Sequence, residues 1–82
     1  MTADAILDGV RAILAQQFGV EPATITRETV AMDVDGWDSV THVYVMLEIE
    51  QHFAVKIPDE RVFSMDNVGE LVDLLAGLPK GT

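Results

Sequence analysis

The chain predicts an all-α domain: a small bundle of three longer helices and one short one, with a long loop between the first two. Three observations predict it. Apolar residues recur at helical spacing in three separate stretches. These stretches are bounded by residue types that cap or stop helices. No segment shows the sustained alternation of a half-buried strand. At 82 residues there is room for one core only.

Ile6, Val10, Ile13, Leu14 and Phe18 define the first helix, residues 3–18, with Thr2 as its N-cap and Gly19 as its stop. Residues 19–38 hold Pro22, Gly36 and three threonines, and read as a long loop with one turn. Loops of this length are uncommon in small domains unless they are packed or functional. Val20, Ile25, Val30, Met32 and Val34 are expected to lay this one across the core. The second helix covers residues 39–53. Residues 54–57 leave it in extended form, and Pro58 blocks further helix. Residues 59–63 fit a short third helix with Pro58 near its first turn. Asn67 and Glu70 have capping-box spacing ahead of Val68, Leu71, Val72 and Leu75, the apolar face of a last helix that ends at Gly77. Residues 1–77 are expected to form the folded unit and 78–82 a flexible tail.

Composition narrows the function. Hydrophobic residues make up 49% of the chain, ample for a core, and there is no cysteine for a disulfide, a thiolate metal site or a thiol nucleophile. The net charge of −9, with five lysines and arginines, argues against nucleic acid, whose phosphates need cationic side chains. It favours basic protein partners and steered, transient encounters. No basic leader or membrane-length apolar run is visible, so a cytoplasmic monomer is expected.

The most informative position is Ser39, in Asp35-Gly36-Trp37-Asp38-Ser39-Val40. It places a primary hydroxyl at a helix N-terminus, where unpaired N–H groups and the helix dipole favour an anion such as a phosphate ester. A plain N-cap role is the simpler reading of serine there. A catalytic role is disfavoured, because no Gly-x-Ser-x-Gly elbow surrounds it. His42, one turn on, falls by angle in the core stripe and reads as a hydrogen-bonded structural histidine. His52 suits the dipole at the helix end. Asp33 to Asp38 resembles the start of a calcium loop, but its glycine is at the fourth position instead of the sixth and Tyr44 stands where the last ligand belongs, so no metal site is expected. Those acids read as a solvated face. Trp37 reads as a loop anchor on the core, and the methionines as adaptable core filler.

The second helix carries two apolar stripes at 100° per residue. Val45, Met46, Ile49 and Phe53 form one, with Val43 at its edge; Val40, Tyr44 and Leu47 form the other. Either the helix is buried on both sides, or the second stripe, next to Ser39 and flanked by Glu48, is a partner-docking surface.

Asp38-Ser39 followed by an aliphatic residue at a helix start resembles the attachment site of acyl carrier proteins. Phe18-Gly19-Val20 and Ile57-Pro58-Asp59-Glu60 are similar to family features too, and the likeness covers nearly the whole chain. The resemblance implies a four-helix bundle of the acyl-carrier-protein type and no catalytic activity of its own. It implies a 4′-phosphopantetheine arm, placed on Ser39 beside Asp38 by a phosphopantetheinyl transferase acting on coenzyme A. The arm's thiol would hold acyl groups as thioesters for loading and processing enzymes with basic docking surfaces. An acyl cavity is expected between the second and third helices, past Val43 and Met46 toward Val62 and Phe63. Two departures stand out: Val40 replaces the usual leucine, and Glu48 and Glu50 are the only acids on a face usually rich in them. An aminoacyl or peptidyl carrier with the same arm, and an unmodified acidic interaction module, remain as alternatives.

Overall fold

The computed structural model describes residues 2–78. Its three α-helices are α1 (Ala3–Phe18), α2 (Ser39–Phe53) and α3 (Val68–Gly77), joined by three single 3-10 turns at Pro22–Thr24, Ala31–Asp33 and Asp59–Arg61. The expected short helix is thus one 3-10 turn, with Pro58 as its N-cap. A run this short, begun by proline and rich in charge, gains too few backbone bonds to propagate as an α-helix.

Each α-helix begins and ends on local chemistry. Thr2 accepts from the Ala5 N–H, and Gly19 closes α1 in the left-handed conformation at φ 70°. Asn67 accepts from the Glu70 N–H at 2.9 Å, while the Glu70 carboxylate reaches the N–H of Asp66 instead of returning to Asn67. Ala54 ends α2 at φ 55°, a left-handed position that strains a residue with a Cβ.

α1 is the spine. It packs against both α2 and α3, whose backbones do not touch each other. Gly9 allows the α1–α2 approach: a Cβ there would stand 2.6 Å from the Phe53 ring. The long loop and the segment after α2 fill the space between α2 and α3. Ile25, Val34 and Trp37 of the loop are buried with Leu14, Val45, Ile49, Leu71 and Val72 in one core. Met32 departs from expectation, being 94% exposed, because the Ala31–Asp33 turn points its side chain outward. Only Met46 of the described methionines is fully buried, and Met65 is half-buried. Leu78 packs against the core. The rest of the expected tail, residues 79–82, lies outside the described residues.

The loop is firmly held. Its Arg27 and Thr29 carbonyls accept the N–H groups of Gly69 and Val68, at 2.7 and 2.8 Å. These are among the orphan donors of the α3 N-terminus. Gly69 eases that approach, since a Cβ would stand 3.0 Å from the Arg27 carbonyl and push it back. Arg27 also pairs with both oxygens of Asp73, and Arg11 donates to the Ile25 carbonyl. Among the described residues no helix is long and apolar enough to cross a membrane.

Candidate functional site

Asp38, rather than Ser39, is the N-cap of α2. Its Oδ1 accepts from the N–H groups of Val40 and Thr41, both at 2.9 Å. In return the Thr41 hydroxyl oxygen accepts the Asp38 N–H at 2.8 Å, closing a capping box. The Thr41 hydroxyl in turn donates to the Gly36 carbonyl. The Thr41 N–H is the main reason the Asp38 carboxyl is held below the usual aspartate value.

This changes the physical reading of the serine. Asp38 occupies two of the N–H groups that an anion would use at a bare helix N-terminus. Ser39 therefore offers an exposed hydroxyl at the first helical position, and it has no hydrogen-bond partner among the described residues. The firmly capped helix fixes its place, and the cap leaves it free to react.

Trp37 and His42 stand at the positions just before the cap and four residues into the helix, the geometry of a hydrophobic staple. Both are buried. The indole Nε1–H donates to His42 Nδ1 at 3.0 Å, and His42 Nε2 is 2.6 Å from the Val62 carbonyl. An indole N–H can only donate and a carbonyl can only accept. His42 is therefore neutral, bare at Nδ1 and protonated at Nε2. Both nitrogens are occupied, so it does not act as a base for Ser39.

Beside Ser39 opens a cavity of about 270 Å³, bordered by Trp37, His42, Phe63, Met65 and Leu71, with Asp38 and Asp66 at its polar edge. It lies between α2, α3 and the two connecting segments. Of the four residues expected to line an acyl cavity, only Phe63 borders this one. Val43 faces solvent, Met46 is enclosed in the core, and Val62 turns its carbonyl to His42. The reason is the separation of α2 from α3: the gap opens toward the His42 side of α2, one face round from Val43.

The outer face of α2 exposes Val40 (67%), Tyr44 (57%) and Leu47, and Val43 joins them. Glu48 is exposed at the edge, bordering a shallow depression with Ile13 and Gln17 of α1. Glu50 is engaged elsewhere: its carboxylate accepts the Ile57 N–H at 2.7 Å and holds the extended segment to the end of α2. Of the two acids Glu48 and Glu50, only Glu48 is thus uncommitted among the described residues.

A family model for the phosphopantetheine attachment site matches residues 8–75. The chain belongs to the acyl carrier protein family. The carrier is similar to the acyl carrier protein of Helicobacter pylori strain G27, at 34% identity over 83% of this chain and 87% of that one. A meromycolate extension acyl carrier protein of Mycobacterium leprae is 32% identical over 95% of this chain and 68% of its own length. Among solved structures, the holo acyl carrier protein of Geobacter metallireducens superposes with a TM-score of 0.75 at 36% identity, covering 85% of this chain and 80% of that one. That of Enterococcus faecalis superposes at 0.77 with 28% identity, covering 96% and 100%. Members of this family are carriers, not catalysts, and hold a covalently attached phosphopantetheine. The site suits such a group: the Ser39 hydroxyl is exposed and uncommitted, and an apolar-floored cavity lies beside it.

Proposed function

We propose that Ser39 is the arm's attachment point, and that the carrier holds acyl intermediates as thioesters and delivers them between soluble enzymes of a cytoplasmic biosynthetic pathway. The uncommitted hydroxyl beside a self-capped Asp38 carries this reading. The arm supplies a thiol on a long flexible tether; the chain supplies a fixed anchor, a recognition face and a shelter. Val40, Tyr44 and Leu47, with Glu48 at the edge, form the face presented to the phosphopantetheinyl transferase and to loading and processing enzymes. Exposed aliphatic and aromatic side chains beside a reactive group are what a transient interface uses for contact. The excess negative charge steers basic partners toward it.

Incubation with a phosphopantetheinyl transferase, magnesium and coenzyme A, followed by intact mass and peptide mapping, tests the assignment. One arm on the Ser39 peptide is expected, and none on Ser39→Ala with its helical content intact. An unmodified chain would favour a pure interaction module, and a modified Ser39→Ala would move the site elsewhere.

A further inference from the structure

The segment Pro58–Met65 forms the outer wall of the cavity beside Ser39, and it is weakly attached. Its backbone bonds are internal: Arg61 N–H to the Pro58 carbonyl, Val62 N–H to Asp59, and Ser64 N–H to Arg61. The Arg61 and Ser64 side chains also bond within it. Among the described residues, one hydrogen bond joins this segment to the rest of the fold: His42 Nε2–H donates to the Val62 carbonyl. The other nitrogen of the same ring is held by Trp37 of the long loop. Phe63, 62% exposed, lies against the imidazole with ring centres 5.0 Å apart. A single neutral histidine thus clasps a loose wall to a firm one.

We propose that His42 is a positioning residue that sets the acyl chain length above which the cavity must open. This rests on the carrier reading above. A cavity of about 150 Å³ takes benzene, so about 270 Å³ takes on the order of ten carbon atoms. The Trp37 and Leu71 walls are part of the buried core and cannot retreat. A longer chain fits only if Pro58–Met65 moves outward, and that movement breaks the Val62–His42 bond. One more buried methylene gains less than the loss of a bond to a buried group takes away, so opening waits until a few further methylenes can be buried together. The clasp therefore stays shut for chains slightly longer than the cavity, and the segment yields only to much longer ones.

The test uses the arm-bearing chain loaded as butanoyl, octanoyl, dodecanoyl and hexadecanoyl thioesters, with loading on Ser39 verified by intact mass. In the native chain the melting temperature rises from butanoyl to octanoyl, levels from octanoyl to dodecanoyl, and rises again only at hexadecanoyl. His42→Leu, similar in size but without either bond, starts lower and keeps gaining to hexadecanoyl. His42→Gln, whose amide offers one acceptor and one donor, restores the levelling. The same levelling length in the native chain and His42→Leu overturns the proposal, as does a series flat from butanoyl onward. If His42→Leu does not fold, the native series decides. A pause between octanoyl and dodecanoyl with an unshifted indole N–H signal from Trp37, the sole tryptophan, supports the clasp; a rise without a pause overturns it. Failure to gain an arm at Ser39 would instead overturn the carrier reading.

Discussion

The two connections that meet at the cavity are built in opposite ways. The loop between α1 and α2 has no helix longer than a 3-10 turn, yet it buries Ile25, Val34 and Trp37 and bonds to both α1 and α3. Pro58–Met65 is also a 3-10 turn with flanking residues, yet it buries none of its side chains fully. The same kind of secondary structure thus forms a firm wall on one side and a yielding wall on the other. Tertiary bonds decide which, and Ser39 stands on the firm side.

The largest effects should come from the firm side and the core it joins. Ile49→Ala and Leu71→Ala, each fully buried, should each cost about 2–5 kcal/mol in denaturant unfolding. A loss below about 1 kcal/mol would mean that the core is looser than its packing indicates. Gly9→Ala and Gly69→Ala drive a methyl into the Phe53 ring and the Arg27 carbonyl. Each should cost about 1–3 kcal/mol by overpacking. Neutral behaviour at Gly69 would show that the loop is not pinned to α3.

Those glycines mark the limit of what could be read from the chain. Helix ends were legible because caps are local: Thr2, Gly19, Asn67 and Gly77 stand where spacing places them. The two stripes of α2 were legible for the same reason, including the buried His42. Gly9 and Gly69 act across the fold, and nothing near them in the chain says what they face. Met32 looked like a core residue because its neighbours Val30 and Val34 do, but a turn reverses its direction. The cavity was expected one helix face away, since its place depends on how far α2 stands from α3. The Asp38 cap and the Trp37–His42 staple did leave a signal: Asp38-x-x-Thr41, flanked by two ring side chains five residues apart. Read alone, that signal reassigns the cap from Ser39 to Asp38.

A smaller effect concerns acid. The folded Asp38 carboxyl lies below its ordinary value, so its contribution is present above the ordinary aspartate range. It is lost as pH falls through the lowered folded value, when the protonated group caps less well. Asp38→Asn keeps a cap oxygen without the charge, so it should lose part of this pH dependence in acid unfolding while α2 persists. An unchanged acid profile would remove Asp38 from the account. The smallest effect is on the exposed face. Tyr44→Ala should shift stability by less than about 1 kcal/mol while slowing arm transfer. A large loss of stability would return that stripe to the core.

Amide hydrogen exchange on the native chain compares the two walls directly. The N–H groups of Val68 and Gly69, which donate to the loop carbonyls, should exchange only with global unfolding. Those of Val62 and Ser64, bonded within Pro58–Met65, should exchange through a much smaller local opening, faster by orders of magnitude. Equal protection on the two sides would contradict the contrast between a fixed wall carrying Ser39 and a yielding wall facing it.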